Sequence, residues 1–148
     1  MRKAKVYIID DSVIFRAMLE TMISDDPAFD ICGIASSAEQ AREDIMWRLP
    51  DIVLLDLNMP GTHGLDFLEE LSEVQHAMQV VVISGDAKQG SDICAEAFDR
   101  GATACFDKGR VILSGADLIE LMHDLGRHRP LDDHLMSQAI TLPSVCYI

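Results

Sequence analysis

Ile52-Val53-Leu54-Leu55-Asp56 is the stretch that decides the fold. Four consecutive apolar residues, set between Pro50-Asp51 and a carboxylate, are too few for a helix and show no polar alternation. A run of that kind suits a central strand of a parallel sheet, covered on both faces. The same unit recurs on either side. Val6-Tyr7-Ile8-Ile9 ends at Asp10-Asp11, Phe29 to Ala35 reads as another strand, Val80-Val81-Val82-Ile83 ends at Ser84-Gly85, and Thr103 to Phe106 precedes Asp107-Lys108-Gly109. Helical spacing fills the gaps: Ile14, Phe15, Met18, Leu19, Met22 and Ile23; then Ala38, Ala41, Ile45 and Leu49; then Leu65, Leu68 and Leu71; then Ile93, Ala97 and Phe98; then Leu118, Ile119, Leu121, Met122 and Leu125. Asp11 or Ser12 caps the first helix and Ser37 the second, while Asp26-Pro27, Pro50 and Gly101 act as stops. Strand-helix alternation of this kind predicts an α/β fold, a five-stranded parallel sheet with helices on both faces.

The chain has 148 residues, 25 acidic against 12 Lys and Arg, and a formal net charge of −13. That size fits one domain with a core of its own. So acidic a surface repels a phosphate backbone and an anionic bilayer, which argues against nucleic-acid and membrane partners. No apolar run nears the roughly 18 residues that span a bilayer. The apolar stretch after the basic N-terminus stops at Asp10, too soon for a signal-peptide core, so a cytoplasmic location is expected. Cys32, Cys94, Cys105 and Cys146 form no CxxC pair and read as small hydrophobes in a reducing compartment. The five histidines lack zinc spacing, and the eight methionines read chiefly as core filling.

In open parallel sheets, ligands bind beyond the carboxyl ends of the strands, near the topological switch point. Asp10, Asp11, Asp56, Ser84 and Lys108 all fall at those ends. Taken singly, each has an ordinary role as a cap, a turn residue or a solvated charge. Together they set three carboxylates, a hydroxyl and an ammonium around one cleft. Neighbouring carboxylates repel, and a divalent cation relieves them; oxygen donors without His or Cys suit Mg²⁺. The matching chemistry is phosphoryl transfer to a carboxylate.

The segments Ile8-Ile9-Asp10-Asp11-Ser12, Leu54-Leu55-Asp56-Leu57-Asn58-Met59-Pro60 with Gly64-Leu65, Val82-Ile83-Ser84-Gly85, and Gly101-Ala102 to Phe106-Asp107-Lys108 resemble the receiver domain of bacterial two-component response regulators. The resemblance spans about residues 4 to 128, and the first half is similar to receivers attached to chemotaxis methylesterases. It implies a doubly wound, flavodoxin-like strand order 2-1-3-4-5. It implies that Asp56 accepts a phosphoryl group from a histidine kinase or phosphotransfer protein. Mg²⁺ would be held by Asp10, Asp11, Asp56 and the main-chain carbonyl of Asn58. Lys108 would pair with the phosphoryl oxygens and Ser84 would hydrogen-bond them. Phe106 would follow Ser84 from an exposed to a buried rotamer. That change would alter the face formed by the fourth helix, fifth strand and fifth helix, where downstream proteins read the switch. Asn58 and Asp86 would occupy positions that tune dephosphorylation.

Two features depart from the family pattern. Gly109 stands where a Pro in a cis peptide usually follows the lysine, and the segment 109–115 is longer than usual. The expected organisation is a receiver domain over 1–129 and a tail over 130–148, with a short helix over 131–140 and no effector domain. The tail's apolar residues require a cover: its own domain, a second copy in a homodimer, or a partner. The whole reads as a stand-alone switch with autophosphatase character rather than an enzyme. Two other readings stand beside it. An interaction module of the same fold that ignores phosphate usually loses one of the five polar residues, and all are present. A Mg²⁺-dependent phosphatase with an aspartyl-phosphate intermediate wants a general acid two residues after the nucleophile, where Asn58 stands.

Overall fold

The computed structural model describes residues 2–59, 61–74, 77–85 and 92–127. Five strands, β1 (Ala4–Ile9), β2 (Phe29–Ala35), β3 (Ile52–Asp56), β4 (Gln79–Ser84) and β5 (Ala104–Asp107), pair in parallel in the order β2-β1-β3-β4-β5. This is the strand order that the family resemblance implies. Six helices accompany them among the described residues: α1 (Val13–Ser24), α2 (Ala38–Arg48), α3 (Gly64–Ser72), α4 (Asp92–Asp99), α5 (Lys108–Leu113) and α6 (Gly115–Arg127). The chain reverses its direction of travel across the sheet between β1 and β3. The carboxyl ends of those two strands therefore flank the switch point, and they carry Asp10 and Asp56.

Alternation along the strands divides the core in two. Val6 and Ile8, Ile52 and Leu54, Val81 and Ile83, and Ala104 and Phe106 pack with Phe15, Leu19 and Ile23 of α1 and with Leu118 and Met122 of α6. Tyr7 and Ile9, Val53 and Leu55, Val80 and Val82, and Cys105 face α2, α3 and α4. Every residue of β3 is buried, as a strand covered on both sides requires. Gly64 opens α3 where a Cβ would run into the Leu57 backbone, so the helix packs directly beneath the loop that follows Asp56. Gly101, at φ 112°, turns the chain from α4 into β5 in a conformation L side chains rarely adopt.

Three local expectations change. Residues 109–115 are not an extended loop: α5 begins at Lys108, with the Asp107 side chain accepting the Gly109 N–H at 3.2 Å. Six residues are too few to show helical periodicity, so the sequence carried no signal for it. The expected fifth helix is accordingly α6, and the Lys108–Gly109 peptide is trans. Ile14 belongs by spacing to the apolar stripe of α1, yet it is 84% exposed, because Phe15, Leu19 and Ile23 already fill the buried face. The tail and its helix over 131–140 lie outside the described residues, as does Asp86.

Candidate functional site

Asp10 leaves β1 two residues before Ser12 caps α1, and that turn fixes its carboxylate. One oxygen accepts the Ser12 N–H at 2.8 Å, and the Arg16 guanidinium donates to the Asp10 carbonyl at 2.6 Å. Asp56 ends β3 and accepts the Asn58 N–H at 3.1 Å, a turn closed by the loop that leads to α3. Both acids are nearly inaccessible, at 2% and 3% exposure, whereas Asp11 is exposed at the rim. Oxygens of Asp10, Asp11 and Asp56 all lie within 4.8 Å of one another.

Lys108 reaches this group from the end of β5. Its Nζ lies 2.9 Å from Asp10 Oδ2 and 3.3 Å from Asp56 Oδ2, and 4.5 Å above the Phe15 ring. Burial pushes the Asp56 carboxyl above the ordinary carboxylate range. The Asn58 N–H opposes this, the Asp10 charge adds to it, and Lys108 offsets only part. Burial alone would lower the Lys108 ammonium. The hydrogen bond to Asp10 and the charge of Asp56 outweigh that cost and hold it above the usual lysine value.

Asp10, Asp11, Asp56 and Lys108 are thus brought together as the sequence suggests. Ser84 is buried at the end of β4, and its Oγ accepts from the Asn58 side-chain amide at 3.4 Å. Asn58 is exposed over the cleft and links Asp56 to Ser84. Phe106 requires correction. It pairs in register with Ile83 and lies wholly buried against α1 and α6, whereas Ser84 continues the alternation of Val80 and Val82 toward α4. Phe106 therefore cannot follow Ser84 on one face; Cys105, in register with Val82, is the β5 residue on Ser84's side. His63 caps α3, its Nδ1 accepting the Leu65 N–H at 3.1 Å. Phe15 and Arg16 also border the site, which sequence reasoning does not show, since Phe15 fits the apolar stripe of α1. Their only signal was their place in the first turn after the acidic pair.

The donor set suits Mg²⁺: three carboxylate oxygens, two of them from buried acids that repel each other, with no nitrogen or sulfur ligand. An open parallel sheet whose polar residues gather at its switch point defines the doubly wound class of α/β domains, which bind ligands in that crevice. The sequence profile of the response regulator receiver domain matches residues 6–121, and the chain belongs to that family. It is 40% identical over 113 residues to a protein-glutamate methylesterase/protein-glutamine glutaminase of Hydrogenovibrio crunogenus, covering 76% of this chain and 30% of that protein. It is 37% identical over 128 residues to the group 3 operon protein of the same description from Rhodopseudomonas palustris, covering 86% and 34%. The chain thus spans about a third of these curated relatives, whose named activities belong to the whole proteins. Among solved structures, the complex of the P1 domain of CheA3 with CheY6 from R. sphaeroides is similar at a TM-score of 0.73 and 25% identity, over 86% of this chain and 99% of that one. The response regulator domain of Thermotoga maritima CheB shares the fold at a TM-score of 0.72 and 22% identity, over 95% and 98%. Receiver domains are signalling switches of two-component systems, and they bind Mg²⁺ in their acidic pocket. Among the described residues no helix is long and apolar enough to cross a membrane.

Proposed function

We propose that this receiver takes a phosphoryl group on Asp56 from a histidine kinase or histidine phosphotransfer protein and signals through protein contacts. The observation that carries the reading is Lys108 Nζ held between Asp10 and Asp56 at 2.9 and 3.3 Å. The ammonium stands where an acyl phosphate on Asp56 would place its oxygens, and it balances their charge. Asp10, Asp11, Asp56 and the Asn58 carbonyl would hold Mg²⁺, which supplies charge neutralisation for the transferring group. Ser84 would donate its hydroxyl to the phosphoryl group, releasing the Asn58 amide. Asn58 and Asp86 would set the rate of hydrolysis. The apolar side chains of Ile14 and Leu113, 84% and 85% exposed at the ends of α1 and α5, support docking of a protein partner beside the site.

The test is acetyl phosphate with Mg²⁺, followed by intact mass. An acid-labile adduct of about 80 Da is expected, with loss of the adduct on removing Mg²⁺ and in Asp56→Asn. An adduct that persists in Asp56→Asn, or none in the unaltered chain, refutes the assignment. Release of phosphate from a generic phosphomonoester would instead favour a phosphatase.

A further inference from the structure

Cys94 and Cys105 come from different elements. Cys94 is on the buried face of α4, and Cys105 is the β5 residue directed toward that helix. They are 1% and 0% exposed, and their Sγ atoms are 2.8 Å apart. That is closer than the about 3.5–4.0 Å contact of two carbon atoms, and sulfur is the larger atom. It is longer than the about 2.05 Å of a disulfide bond. The two side chains thus bring their sulfurs together without forming a bond. Simple core filling does not require two polarisable thiols on one axis. Cys32, by contrast, is on β2, at the opposite edge of the sheet from β5.

We propose that Cys94 and Cys105 are a reversible dithiol–disulfide pair that pins α4 to β5 when a hydroperoxide oxidises it. One thiolate attacks a peroxide oxygen. An S–O bond forms and the O–O bond breaks; the departing hydroxide takes up the proton that this thiol released and leaves as water, so that sulfur is oxidised to the sulfenic acid while peroxide is reduced. The second sulfur attacks the first: the S–S bond forms, the S–O bond breaks, and the hydroxyl leaves as water with the second thiol's proton. Two thiols and one hydrogen peroxide become one disulfide and two waters. Burial restricts the reaction to a small oxidant. The link joins the helix and strand on Ser84's side of the sheet, so it holds that face in one arrangement whether or not Asp56 is modified. It is independent of the phosphoacceptor reading.

The test treats the native full chain with hydrogen peroxide, blocks remaining thiols, and digests without reductant. Trypsin cuts after Lys88, Arg100 and Lys108, so the two cysteines fall on separate peptides, 89–100 and 101–108. Expected are those peptides joined, an intact-mass loss of about 2 Da reversed by dithiothreitol, and roughly tenfold slower amide exchange across α4. Cys94→Ala and Cys105→Ala should each abolish the mass loss, and Cys32→Ala should not. Oxidation that links other cysteines, stops at sulfinic acid, or joins 89–100 to 101–108 only in denaturant overturns the proposal. The peptide map of the unaltered chain decides this even where an alanine variant fails to fold.

Discussion

β3 carries a buried carboxylate at each end, and the two live under opposite electrostatic rules. Asp51 precedes the strand, 7% exposed. It accepts the Lys5 N–H at 2.8 Å and the Arg2 guanidinium at 3.2 Å, and its carbonyl accepts the Gln79 N–H at 2.9 Å. Its acceptors meet donors that the fold supplies, so it ties β1, β3 and β4 together. Asp56 ends the strand, 3% exposed, beside a second buried carboxylate with one lysine shared between them. Its environment raises its proton affinity. Two aspartates five positions apart thus differ in what they do for stability. A clamp is satisfied by its neighbours, whereas a site is left with a charge that something from outside must complete.

Lys108→Ala should break the contrast most strongly. With Mg²⁺ removed at pH 8, two buried acids lose their cation, and urea titration should show a loss of roughly 3 kcal/mol. Saturating Mg²⁺ should recover most of it, because an ion bound only by the folded state stabilises by mass action. A loss indifferent to Mg²⁺ would mean that the carboxylates do not form a metal site. Asp51→Ala should cost about 2 kcal/mol, since it orphans the Lys5 N–H. That corresponds to a fall in Tm of about 4–8 °C, with no response to Mg²⁺. Asp56→Asn should have the opposite sign in Mg²⁺-free buffer, raising stability by about 1 kcal/mol through removal of a repelled charge. If Asp56→Asn destabilises as Asp51→Ala does, the two ends are equivalent and the comparison fails.

The pH dependence follows from the same difference. Asp56 binds its proton more tightly folded than unfolded. Its contribution is fully present below the ordinary carboxylate pKa and is lost as pH rises through the raised folded value. In Mg²⁺-free buffer, stability should therefore decline over that window, and Asp56→Asn should flatten the decline; an unchanged slope would count against the shift. The smallest effect belongs to Arg2→Ala. Its guanidinium is 71% exposed and should matter by no more than about 0.5 kcal/mol.

The legible part of the molecule was the part written in periodicity and punctuation. The β3 run, the Ser12 and Ser37 caps and the polar residues closing each strand were each readable alone, because hydrophobic patterning and capping are local. The α5 helix was not, being only six residues long with a glycine at its second position. Nor was the facing of β5. Strands buried on both sides carry no polar alternation, so nothing in Ala104-Cys105-Phe106 says which residue meets which helix.

The sequence by itself determined a parallel α/β receiver fold and the identities of Asp10, Asp11, Asp56, Ser84 and Lys108, since strand ends and chain order dictate which residues reach the switch point. Only the tertiary structure decided how they are shared. It set Lys108 between two acids, stacked it over Phe15, gave Ser84 to Asn58, turned Phe106 away, and brought Cys105 against Cys94. The reason is register. A shift of one residue between β4 and β5 exchanges every side chain from one face to the other, and register is a property of paired strands that no single strand possesses.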